Sequence, residues 1–190
     1  MAVGGEVRAP RVVLRQRVEM TDPDDMTAKQ PYHAAEGLAV PKASAFLGRL
    51  SERATARASE GLKAAIGELR RSGCAPRTLG ILQAAGRLPA DLGSILASHA
   101  LIHTADGEHF REALARAGEG LGLTVVRLRE RDLEARASTA LRIPSSPLKE
   151  RVLALGRELG PPWTADQKLA ALLAWLLLAQ GPRSTPRGVS

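Results

Sequence analysis

The stretch LTVVRL at residues 123–128 decides the fold. It is apolar but for one arginine, rich in β-branched side chains, and set off by Gly118, Gly120 and Gly122. Such a run suits a strand covered on both faces. A second run of the same kind, RTLGILQA at 77–84, lies between the helix-ending pair Ser72 and Gly73 and the turn GRLP at 86–89. The residues between the two runs carry helical periodicity. A strand–helix–strand connection places its strands parallel in one sheet, with the helix across a face. The expected class is therefore α/β: a small, mainly parallel sheet packed by long helices, with a helical C-terminal region.

Working outward, the connecting region 89–120 keeps Leu92, Ile95, Leu96, His99, Ile102, His103, Phe110, Leu114 and Ala117 on one face. Gly107 is expected to bend or split it, since glycine weakens a helix interior by about 1 kcal/mol. Upstream, Phe46, Leu47, Leu50, Ala54, Ala58, Leu62, Ile66 and Leu69 predict a long amphipathic helix over residues 40–71, with Pro41 in its first turn. Before it, RVVLRQRVEM at 11–20 alternates Val12, Leu14 and Val18 with Arg15, Arg17 and Glu19, which predicts a half-buried strand of the same sheet. Residues 31–35 read as a short extended piece, and residues 1–10, with Gly4, Gly5 and Pro10, as a flexible arm.

Downstream, helices are expected over 133–142 and 148–159, the second stopped by Gly160, Pro161 and Pro162. Thr164 and Gln167 fit a capping box for a last helix over 164–180. That helix is apolar nearly all round, through Leu169, Leu172, Leu173, Trp175, Leu176, Leu177 and Leu178, so it is packed inside or shared with a partner in an oligomer. The domain organisation expected is one α/β domain over 11–180, followed by a disordered basic tail at 181–190. The order of elements is also compatible with a ribonuclease-H-like topology, although the first strand lacks the acidic residue that such enzymes place there for metal.

A chain of 190 residues, 44% of them hydrophobic, can bury a core without staples. The one cysteine, Cys74, excludes an internal disulfide framework and a cysteine-based zinc site. No signal-peptide pattern opens the sequence, and its longest apolar run, 169–179, is about half a membrane span. The expected location is the cytoplasm. The net charge of +7 leaves nucleic acid open as a partner, but the arginines alternate with acids, as in RLRERD at 127–132, which describes a solvated surface.

Chemistry concentrates in SHALIHTADGEHFRE at 98–112, which holds three of the four histidines. His99 and His103 are one helical turn apart and Asp106 is a further turn along, so all three share a stripe. With Glu108 they make a candidate catalytic set, His103 acting as base or ligand and Asp106 orienting it. His99, His103 and Asp106 are also candidate ligands for a divalent metal. The zinc-protease pattern is not met, because position 100 is alanine. His33 and Glu36 are candidates for a second wall. Trp163 reads as a staple onto the last helix, with Asp166 and Lys168 beside it; Cys74 has no histidine near it in sequence.

The segments ASHALIHTADGEHFREAL and GPPWTADQKLAALLAW resemble uncharacterised bacterial proteins from GC-rich genomes, over much of the chain. That resemblance brings no activity with it. Three functions are therefore carried forward. The first is a His/Asp/Glu pocket that binds or hydrolyses a small anionic ligand. The second is an interaction protein that works through an apolar helix, and the third is a nucleic-acid-associated protein.

Overall fold

The computed structural model describes residues 1–84 and 86–181. Its elements are β1 (Ala2–Glu6), β2 (Ala9–Leu14), α1 (Met26–Lys29), α2 (Pro31–Ala35), α3 (Val40–Arg71), β3 (Thr78–Gln83), α4 (Leu92–Leu96), α5 (His99–Gly120), β4 (Thr124–Arg129), α6 (Glu130–Leu141), α7 (Ser145–Leu155), a 3-10 turn (Arg157–Leu159) and α8 (Ala165–Gln180). Helix and strand are mixed, and helix predominates. The tail at 182–190 lies outside the described residues.

The two apolar runs form the expected parallel pair. Thr78 faces Thr124, and the register continues to Gln83 opposite Arg129. Helices cover both faces of this ribbon. On one, Gly118 of α5 lets the helix come down on Leu79 and Val125, and a Cβ there would lie 2.6 Å from Leu79 Cδ2. On the other, Gly80 of β3 admits Leu173 and Leu177 of α8, each leaving only 2.7 Å for a Cβ. These close approaches fix which helix lies on which face.

Behind α5 runs α3, and the seam between them is largely alanine: Ala54 and Ala58 from α3, Ala113 and Ala117 from α5, all buried. Small side chains bring the two helices close. On the far side, α8 inserts Leu172, Leu173, Trp175 and Leu176 among Leu133 and Ala137 of α6, Leu148 and Val152 of α7, and Leu128 of β4. The expected burial of its apolar side chains is borne out: Trp175 is 0% exposed. The capping box is present, with Thr164 accepting from the Gln167 amide and Gln167 accepting from the Thr164 amide. Trp163 seats elsewhere than on α8: its ring lies over Gly156 and its Nε1 donates to the Val152 carbonyl at 3.3 Å.

Four expectations are corrected. The N-terminal strand does not join the parallel ribbon. Residues 9–14 pair antiparallel with residues 2–6, part of the segment expected as a loose arm, and this hairpin is a separate two-stranded sheet. Glycine concealed it, yet Gly5 supplies φ +90° near the turn and Gly4 leaves room for Val13. Residues 15–20 are not strand but run across α3, with Val18 set against Gly61. Residues 31–35 form a short helix begun by Pro31, not an extended piece. Region 89–120 breaks at Ala97 and Ser98 instead of at Gly107, which lies inside an unbroken α5. Packing on two sides of α5 outweighs the propensity cost of one glycine. Among the described residues, no helix is long and apolar enough to cross a membrane.

Candidate metal centre

The short helix α2 is held against α5 by one carboxylate. Asp106 is 8% exposed. Its Oδ1 accepts the Tyr32 backbone N–H at 2.7 Å, and its Oδ2 accepts the His33 Nδ1–H at 2.5 Å. A five-residue helix cannot hold itself together. Asp106 therefore satisfies a first-turn amide that would otherwise be open and fixes the next side chain at once. With Nδ1 engaged as a donor, His33 keeps Nε2 as its free nitrogen.

His99 and His103 stand one turn apart on α5, both exposed, next to the partly buried His33. Their Nε2 atoms are 3.1 Å apart, so one must donate and the other accept. The His33 ring centre lies 4.4 Å from that of His103 and 5.2 Å from that of His99, edge to face. One ligand nitrogen from each of His33, His99 and His103 can be chosen so that all lie within 4.8 Å of one another. A tetrahedral zinc ion with bonds of about 2.0–2.1 Å sets its ligand nitrogens about 3.4 Å apart. The His99–His103 pair already meets this spacing, and no pair has to close by more than about 1.4 Å, within reach of rotating imidazoles.

His109, the fourth histidine, lies deeper and is 8% exposed, its ring edge-on to Tyr32 at 6.3 Å. Burial pushes its imidazole below the ordinary value, while the Asp106 carboxylate and the Leu50 carbonyl pull the other way. Burial, helped by the charge of Asp106, raises the Tyr32 phenol. His109 and Tyr32 thus form a layer that disfavours charge behind the Asp106 carboxylate.

The other predicted site residues fall in different places. Asp106 lies beneath His33, so it serves as a support where the stripe suggested a third ligand. Glu108 points to another side of α5, toward Arg111 at 3.5 Å and Arg127 at 3.6 Å. Arg127 also bridges Glu112 at 2.6 Å; that hydrogen bond, with help from Arg116, holds Glu112 below the usual carboxylate range. Glu36 is exposed just past α2, with no ion pair among the described residues. His33, predicted for a second wall, stands inside the cluster. The Tyr32 amide went unnoticed in the sequence; Pro31, a helix opener directly before Tyr32 and His33, was the available signal.

No family model, no curated protein and no solved structure matches this chain, so its chemistry has to be argued from the side chains themselves. Three imidazoles, one of them backed by a buried carboxylate, form a donor set suited to a borderline metal ion. An ion held by these three alone would keep a fourth position for water or a ligand, as in catalytic rather than purely structural zinc sites.

Proposed function

We propose that this protein binds a divalent transition-metal ion, zinc by ligand type, through His33, His99 and His103, and uses the open position to bind or hydrolyse a small anionic ligand. The observation that supports this best is the Asp106–His33 hydrogen bond. A carboxylate on the far nitrogen of an imidazole orients the ring and strengthens it as a ligand, and such supports are worth 10–100-fold in metal affinity (roughly). Zinc held there would supply Lewis acidity toward water or a ligand oxygen. The exposure of His99 and His103 leaves that side of the cluster open to a ligand from solvent. The interaction reading has less support, because the leucines of α8 are packed in the core. So does the nucleic-acid reading: Arg15, Arg53, Arg57, Arg111, Arg116 and Arg127 are engaged within the chain.

The test is titration of the metal-stripped protein with zinc, followed by calorimetry and elemental analysis. One ion per chain is expected. Alanine at His33, His99 or His103 should each weaken binding at least 100-fold, whereas Glu36→Ala should leave it unchanged. Absence of binding below millimolar zinc, or binding that survives the triple histidine variant, overturns the proposal. Turnover of p-nitrophenyl phosphate or acetate by the zinc-loaded protein separates hydrolysis from simple binding.

A further inference from the structure

A cavity of about 300 Å³ opens between the hairpin, α7 and the turn after α7. Three guanidinium-bearing residues line it from three elements: Arg8 at the hairpin turn, Arg11 on β2 and Arg151 on α7. Only one acid, Glu158, joins them. Among the described residues, no carboxylate lies within ion-pairing distance of Arg8, Arg11 or Arg151. Three cations thus gather at one cavity without an ion pair to offset them. Like charges drawn together in one concavity repel, and an anion placed among them removes that penalty.

The rest of the lining is apolar, with Val12, Ala154 and Leu155 among it. Its walls are fixed in advance. The hairpin is tied to α8 by Trp175 Nε1, which donates to the Val7 carbonyl at 2.9 Å. It is tied to the loop after α7 by Arg15, whose guanidinium donates to the carbonyls of Leu159, Gly160 and Pro162 at 2.9–3.0 Å. A concavity of this size, with an apolar lining and a few charged groups, has the make-up of a small-molecule site.

We propose that this cavity binds a small organic phosphate monoester, its phosphate on Arg8, Arg11 and Arg151 and its apolar body against Val12 and Leu155. Three guanidinium charges against one carboxylate leave a local charge of +2, which matches a monoester carrying about −1.5 to −2 at neutral pH. Guanidinium groups suit phosphate by their planar fork of donors. The site is independent of the proposed metal centre, since the two share no residue.

Phenyl phosphate and inorganic phosphate serve as probes, titrated into the full chain in the presence of a chelator and followed by calorimetry and tryptophan fluorescence. Phenyl phosphate should bind at least 10-fold more tightly than inorganic phosphate and should change the emission of Trp175. The Arg11→Ala and Arg151→Ala variants should each lose at least 10-fold in affinity, and Glu158→Gln should gain. Equal affinity for the two probes overturns the two-part ligand. Undiminished binding in the Arg11→Ala/Arg151→Ala double variant overturns the site. Because these side chains are exposed, circular dichroism of the double variant should match the parent chain, so a loss of binding reports on the cavity rather than on folding. A chain carrying alanine at His33, His99 and His103 should bind phenyl phosphate as the parent does, which separates failure here from failure of the metal centre.

Discussion

The core around α8 and the corner between α2 and α5 both rest on a buried helix face, but they are held in different ways. Around α8, leucines and Trp175 interlock with α6, α7 and β4, and the one polar atom of Trp175 finds a carbonyl. Stability there is spread over many contacts, none of them directional except that one. In the α2–α5 corner the apolar cluster is smaller, Ala35 packing with Ala43 and Leu47 of α3, and Pro31 is buried too. The direction of His33 depends on one carboxylate, which takes two short hydrogen bonds, and His99 and His103 beyond it stand in solvent. The first region can be damaged only by removing volume, the second by removing a single atom's chemistry. A fold that keeps these separate can tune a site without loosening its core.

That separation can be broken experimentally, starting where the effect is greatest. Trp175→Ala should destabilise the protein by about 3–5 kcal/mol in urea unfolding, from lost burial and the cavity left behind. The zinc stoichiometry of the folded fraction should not change; if it falls, the two regions are coupled. Asp106→Ala should cost about 1–3 kcal/mol, because the Tyr32 amide and His33 lose their acceptor in a buried place. It should also weaken zinc binding 10–100-fold (roughly), so Asp106 is the one position where both readouts move together.

A smaller effect, signed by pH, belongs to His109. Its folded-state pKa lies below the unfolded value of about 6.5. As pH falls past that value the unfolded chain takes up the proton first. The contribution is therefore complete above about pH 6.5 and is lost as pH drops toward the folded-state value. His109→Gln should flatten the fall in stability between pH 7.5 and 5.5, measured by urea midpoints. An unchanged slope would place the titration on other groups. Smallest of all, His103→Ala should shift stability by about 0.5 kcal/mol or less, as for exposed positions, while removing a metal ligand. A large loss of stability would recast the cluster as structural.

The parallel ribbon was legible because strands covered on both faces read as continuous apolar runs, and nothing else in the chain looks like 77–84 or 123–128. The hairpin was not, because its pairing passes through Gly4, Gly5 and Pro10, residues that punctuate more often than they pair. The stripe of His99, His103 and Asp106 was placed correctly around the helix, but its phase against the core was not. That phase was carried over from Ile95 and Leu96, which belong to α4, across the break at Ala97 and Ser98. Ile102, Ala105 and His109 face inward instead, leaving His99 and His103 in solvent and Asp106 at the boundary. His33 could not be assigned as Asp106's partner from sequence, because 73 positions separate them and α2 is too short to show a period.

The tie between the hairpin and α8 has a consequence for the order in which the chain assembles. Val7 and Trp175 are 168 positions apart. At a synthesis rate of about 5–20 residues per second, the helix emerges on the order of ten to thirty seconds after the strand pair that docks on it. Throughout that interval β1 lacks the helix it packs on, and an isolated two-stranded hairpin is marginal in water. The docking that completes the arginine-lined cavity therefore waits for α8, so a ligand held there would report that synthesis has passed that helix.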